Sequence, residues 1–283
     1  MKKIISVKNS TCKMGGAPFE KIIILGDSLS DSTGRMYSKT SGLMPSSPQY
    51  YEGRFTNGYT WVDFLASPTC MNVAVVTKAE GGAVAGNYCK LNPIFMFISS
   101  MKKQISGLKF GRDDLAIACI GSNDYISYNK KDVNKVVNDQ MKNINNMIKG
   151  GAKNIIVMGI PDFSHTPFAK AETHEKREEL KELSSQHNEL LSRKVSDING
   201  KNGANVKFFD LNEVLTSTIN IANSIGYNTS KPFHQGYIGG KGSLDTSPKY
   251  LFNDGVHPTQ ELHAIFAMKI HEFITNEFMF KKI

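Results

Sequence analysis

The chain has 283 residues, 40% of them hydrophobic and 21% charged. That composition excludes wholesale disorder, and the length is near the limit of one hydrophobic core, so a single domain is expected over 19–283, behind a short polar tail at 1–18. The 34 basic and 26 acidic side chains leave a formal net charge of +8, but the longest basic runs are pairs such as Lys102-Lys103 and Lys130-Lys131. Without a dense basic–aromatic stripe or zinc-finger spacing, nucleic acid is excluded as a partner. A solvated basic surface remains, with peripheral contact to an anionic membrane as its functional counterpart.

The first residues, Met1 to Lys21, open with Lys2 and Lys3, but the apolar stretch from Ile4 is cut off by Lys8 and Asn9. A secretory signal needs ~7–15 apolar residues at that place, so neither a signal peptide nor a membrane-spanning helix is expected; the latter would need roughly 20. Short β-branched apolar runs follow at 21–25, 72–76, 115–120, 154–160 and 206–211. Amphipathic stretches alternate with them, which predicts βαβ units and a parallel sheet. Trp61, Phe64 and Leu65 share a helix face. Val133, Val136, Val137, Met141, Ile144 and Ile148 form a longer stripe stopped by Gly150-Gly151. Residues 169–198 are highly charged and keep Leu180, Leu183, His187, Leu190 and Leu191 in helical spacing, with His187 on the stripe or its rim. Residues 226–253 are rich in Gly, Ser, Thr, Asn and Pro and read as a long loop. A last helix begins near Thr259, with His263 and His271 on its flanks. The fold class is therefore α/β: a three-layer α/β/α sandwich around a five-stranded, mostly parallel sheet.

Of the four cysteines, Cys12, Cys70, Cys89 and Cys119, none forms a CxxC pair, so no metal site is expected. Cys119 reads as a buried small hydrophobe, and Cys70 and Cys89 could pair.

In such sheets, sites sit at the carboxyl ends of strands. The first strand runs into Gly26-Asp27-Ser28-Leu29-Ser30-Asp31. The expectation is a sharp turn at Gly26, permitted by its free dihedrals, with Ser28 at a helix start where N–H groups favour an oxyanion. Ser28 could equally be a plain N-cap. The third strand runs into Gly121-Ser122-Asn123-Asp124-Tyr125, where Asn123 is either a turn residue or a neutral donor to an oxyanion. Near the end of the chain, Asp254-Gly255-Val256-His257-Pro258-Thr259 lets one turn carry a carboxylate and an imidazole. Together these segments supply nucleophile, base, orienting acid and oxyanion donor.

These motifs, with Ala79-Glu80-Gly81-Gly82-Ala83, make the chain resemble the GDSL family of lipolytic enzymes within the SGNH hydrolases, whose order they follow from residue 26 to 259. The resemblance implies a Ser28–His257–Asp254 triad and an oxyanion hole made by the Ser28 N–H, the Gly82 N–H and the Asn123 side chain, with Gly81 as the competing glycine. Thr77 stands where the family often has Asn. The stretch 42–65, with Tyr50-Tyr51 and Gly53-Arg54-Phe55, is similar to the bacterial phospholipase A, lysophospholipase A and glycerophospholipid–cholesterol acyltransferase branch. That branch often has a cysteine pair before the Asp-x-x-His block and Trp at its edge. Here 229–253 lacks cysteine, and Asn253 takes the Trp position. The missing pair implies either a loop controlled by other means or a reducing compartment: cytosolic, or reached by export without a cleavable signal.

The implied activity is cleavage of fatty acyl esters of (lyso)phospholipids through an acyl-enzyme, with a lipid or ester as substrate and no cofactor. Acyl transfer to cholesterol or another alcohol, and a short-chain or carbohydrate esterase, are the alternatives on the same fold. Tyr50, Tyr51 and Phe55, with Met36 and Tyr37, are candidates for the substrate rim. Phe95, Met96 and Phe97 form a second apolar cluster, read first as core packing. A flavodoxin-like FMN-binding module, with Ser28, Ser30, Ser32, Thr33 and Gly34 around a phosphate, is the reading from another class.

Overall fold

In a computed structural model of the protein, residues 19–46, 49–88, 91–234 and 249–279 are described, without the side chain of Phe95. The tail at 1–18, Cys12 and Cys89 lie outside the described residues, and with them the Cys70–Cys89 pairing. Five parallel strands form the main sheet: β1 (Lys21–Gly26), β2 (Ala74–Thr77), β3 (Leu115–Cys119), β4 (Asn154–Met158) and β5 (Asn205–Phe209). Their order is β2-β1-β3-β4-β5. The apolar runs were legible as strands because a parallel sheet covered on both faces needs continuous hydrophobic segments.

The side chains alternate between two cores. Ile23, Leu25, Ala116, Ala118, Ile155 and Val157 face one side, while Ile22, Ile24, Leu115, Ile117, Ile156 and Met158 face the other. The helices in chain order are α1 (Arg35–Lys39), α2 (Trp61–Ala66), α3 (Pro93–Phe97), α4 (Met101–Ile105), α5 (Ser122–Ile126), α6 (Val133–Lys149), α7 (Pro167–Ala171), α8 (His174–Ile198), α9 (Leu211–Ser224) and α10 (Gln260–Ile274). The first core is closed by α4, α6 and α8, the second by α2, α9 and α10. This is a three-layer α/β/α sandwich. Asp132 and Thr173 cap α6 and α8 by accepting the N–H of Lys135 and Lys176, so both helices begin where a side chain satisfies an orphan donor.

Three expectations are corrected. Residues 226–253 are not wholly a loop: β6 (Asn228–Pro232) and β7 (Tyr250–Phe252) pair in parallel as a small separate sheet. His263 is not a flank residue but fully buried, its Nδ1 accepting from the backbone N–H of Trp61 at 3.2 Å and so joining α10 to α2. Met96 and Phe97 are 67% and 45% exposed, so they are surface and not core. His187 lies on the buried stripe of α8, with Nδ1 2.8 Å from the Tyr125 hydroxyl. Burial lowers its pKa to about 3, so it is a neutral core imidazole.

Candidate active site

The strand order reverses at β1, which runs to β2 on one side and to β3 on the other. That is the switch point at which an open α/β sheet leaves a crevice. Ser28 follows β1 and Asn123 follows β3. Gly26 closes β1, held by a reciprocal pair: its N–H donates to Gln104 Oε1 at 2.9 Å and its carbonyl accepts from Gln104 Nε2 at 2.8 Å. Gly26 is needed for close approach, not for unusual dihedrals. A Cβ there would stand 2.8 Å from both the Cys119 carbonyl oxygen and the Ser30 side chain.

Ser28 is not at a helix start. It sits in a turn closed by the Ser30 N–H donating to the Asp27 carbonyl at 3.0 Å, and α1 begins only at Arg35. A helix dipole therefore does not act on it. The hydroxyls of this segment do not ring an open cradle either. Ser30 is fully buried with Oγ accepting from the Trp61 indole N–H at 3.2 Å, and Ser32 is also buried.

The structure brings three residues from the two ends of the chain into one relay. Ser28 Oγ lies 2.8 Å from His257 Nε2, and His257 Nδ1 lies 2.7 Å from Asp254 Oδ2. Asp254 is fully buried, and Oδ1 accepts the N–H groups of Val256 and His257 at 2.8 and 2.7 Å. Tyr50 is not on a substrate rim: it is buried and donates its hydroxyl to Asp254 Oδ2 at 2.7 Å. Phe55 is buried with its ring 5.0 Å from the His257 ring. Tyr51 remains at the surface against Tyr59.

Beside Ser28, the segment 79–86 is fixed by two buried carboxylates. Asp31 accepts the N–H groups of Arg35, Met36 and Gly81, at 2.7, 3.0 and 3.1 Å. Asp124 accepts those of Ala85 and Gly86, each at 2.9 Å, and the Tyr88 hydroxyl. The Gly81 N–H is thus directed at Asp31, while Gly82, at φ 75°, lines a cavity beside Ser28. Asn123 is buried; its Nδ2 donates to the Ala83 carbonyl at 3.1 Å and its Oδ1 accepts from Ser127 Oγ at 2.7 Å. Thr77, in the place of the family's Asn, accepts the Ala79 N–H at 3.2 Å. Tyr50, Gln104, Asp31 and Asp124 were missed as supports. The Asp31 and Asp124 positions inside the two motifs were the available signal, whereas Tyr50 and Gln104 gave none.

Two hollows meet Ser28. One, of about 160 Å³, is walled by Met36, Met44, Phe55, Gly82 and Phe97. The other is a narrow cleft in which Asn123, Ile126, Val256 and His257 stand with Ser28. Ile126 and Val256 also line a wider apolar groove of about 540 Å³ with Pro167, Phe168 and Pro232.

Asp27, next to the serine, is fully buried, and its Oδ2 has no hydrogen-bond partner among the described residues. Burial raises its pKa from 3.8 to about 7 despite the Leu29 N–H on Oδ1. A raised carboxyl pKa favours the folded state below about 3.8, and that contribution is lost as pH rises through about 7. Asp27→Asn, neutral at every pH, is therefore expected to gain stability relative to the parent between about pH 4 and pH 8, by on the order of 2–4 kcal/mol. Denaturant unfolding of both proteins at the two pH values measures it. An equal difference at both pH values would show that Asp27 stays ionised in the fold.

A serine hydroxyl, an imidazole and a buried carboxylate in hydrogen-bonded sequence, on a parallel sheet's carboxyl edge, are the arrangement of the serine hydrolases with this sandwich fold. The chain belongs to the GDSL-like lipase/acylhydrolase family, whose profile matches residues 22–270. It is 40% identical over 264 residues to the secreted effector protein SseJ of Salmonella typhimurium, covering 91% of this chain and 64% of that one. It is 38% identical over 182 residues to the phosphatidylcholine-sterol acyltransferase of Aeromonas hydrophila, covering 61% of this chain and 53% of that one. The chain thus spans less than two thirds of the length of these relatives. A solved member of the lipolytic G-D-S-L family from Veillonella parvula shares the fold, with TM-score 0.53 at 16% identity, over 90% of this chain and 98% of that one.

Proposed function

We propose that the protein cleaves fatty acyl esters of phospholipids and lysophospholipids, with Ser28 as nucleophile, His257 as base and then acid, and Asp254 as the carboxylate that orients the imidazole. The relay from Ser28 Oγ through His257 to Asp254, at 2.8 and 2.7 Å, carries this reading. His257 takes the hydroxyl proton as Oγ attacks the ester carbonyl, and the tetrahedral oxyanion is received by the N–H groups of Ser28 and Gly82 and by the Asn123 amide. His257 then protonates the leaving alcohol, and water attacks the acyl-enzyme with the imidazole again as base. The apolar walls at Met36, Met44 and Phe55, and the groove beyond Ile126 and Val256, suit acyl chains better than sugars. Similarity to a phosphatidylcholine-sterol acyltransferase favours a second reading, in which a sterol hydroxyl replaces water in the final attack. Similarity to a secreted effector supports action after export.

The test is incubation with a panel of phospholipids and lysophospholipids, with and without sterol, comparing the parent with Ser28→Ala. Fatty acid released by the parent alone supports hydrolysis, and sterol ester formed by the parent alone supports transfer. Equal product from both proteins would end the reading.

Tyr50 acts in it as a positioning residue, since it is buried and its hydroxyl bonds Asp254. Tyr50→Phe keeps the ring and removes one hydrogen bond to a charged group, so kcat is expected to fall roughly 10-fold with KM little changed. Steady-state kinetics on a soluble ester would read this split; a rise in KM alone would instead put Tyr50 in substrate contact.

A further inference from the structure

We propose that the face around the Gly82-side cavity is a docking surface for an anionic phospholipid bilayer, which presents substrate to Ser28. This builds on the acyl-ester chemistry proposed above.

Two segments border that cavity, and Met44 of the first and Phe97 of the second line it together. The Lys39 ammonium bonds the Phe97 carbonyl and lies 4.3 Å from the centre of the Phe97 ring, so the segments adjoin. Between them they expose Leu43 at 70%, Leu91 at 92%, Ile94 at 54% and Met96 at 67%. Large aliphatic side chains so exposed, on two adjoining segments that each reach a cavity beside Ser28, mark an interaction surface more than ordinary scatter. Neither segment presents acid: no Asp or Glu stands between Asp31 and Glu52, or between Glu80 and Asp113. Glu80, at the edge, is buried and paired with Lys39. The next helix, α4, turns Met101 and Gln104 inward and leaves Lys102 and Lys103 exposed. An apolar tip on two segments that carry lysines and no acid of their own matches a bilayer with acidic headgroups: the aliphatic residues enter the interface and the lysines meet the phosphates. A water-soluble protein partner would not call for this one-sided charge, and a second copy would set cation against cation.

The experiment is co-sedimentation with vesicles of phosphatidylcholine, alone or mixed with phosphatidylserine, using the Ser28→Ala protein so that lipid is not consumed. Binding is expected with the mixed vesicles, weakened by salt. Leu43→Ser, Leu91→Ser and Ile94→Ser combined should lower it roughly 10-fold or more. Lys102→Glu with Lys103→Glu should abolish the preference for phosphatidylserine. With Ser28 restored, both variants should cleave a soluble short-chain ester at the parental rate, which verifies folding. Sedimentation of the triple variant equal to that of its parent overturns the proposal. So does a parent that ignores vesicles but forms a dimer that the triple variant loses in analytical ultracentrifugation. Vesicle binding by a protein with no esterase activity would instead sink the acyl-ester reading and leave the docking surface standing.

Discussion

Ser28→Ala is expected to lower kcat for fatty acid release by on the order of 10⁶, and His257→Ala by a similar factor. The equality follows from the geometry. Oγ is a poor nucleophile while protonated, and His257 Nε2, at 2.8 Å, is the group placed to take its proton. Removing either member leaves only binding and the oxyanion donors, so the two losses should not add: the double variant should be about as slow as each single one. Both side chains lie at the edge of a cavity and neither fills a core, so the variants should fold. Rates measured with a soluble ester, beside unfolding curves, would decide the matter. A Ser28→Ala protein within tenfold of the parent would mean that another nucleophile does the work.

Asn123→Ala should have the next largest effect, a fall in kcat of roughly 10²–10³ with KM nearly unchanged, because one donor to the oxyanion is lost and ground-state binding is not. The amide is held in place before substrate arrives. Ser127 Oγ grips Oδ1, and Nδ2 rests on the Ala83 carbonyl, in the segment that carries Gly82. Alanine therefore also releases a tie to that segment. Ser127→Ala separates the two effects, since it loosens the amide without deleting it and should cost much less. If Asn123→Ala stayed within a few-fold of the parent, the hole would have to be built from backbone donors alone.

Much of this architecture can be read in the chain. The strands β1, β3 and β4 announce themselves as runs such as Ile22 to Leu25, because both faces of the sheet are covered and polar alternation is unavailable to them. Glycine and acid placed straight after those runs mark the edge that carries the candidate site. The illegible parts share a cause: they depend on contacts across long stretches of chain. Tyr50 looks like any loop aromatic until the fold sets it on a carboxylate 204 residues away. The strand β6, Asn-Thr-Ser-Lys-Pro, has little intrinsic strand preference and forms against β7. Conversely, the helix start imagined at Ser28 drew on local composition alone, and the turn through Asp27 and Ser30 overrode it.

The hydroxyl of Ser28 and its imidazole are 229 residues apart in the chain. During synthesis the nucleophile leaves the ribosome long before its partner, and a product truncated anywhere ahead of His257 cannot complete the pair. The proposed acyl chemistry would thus become available only once the segment that carries His257 has docked. Under the proposed mechanism, turnover would then serve as a sensitive gauge of finished folding.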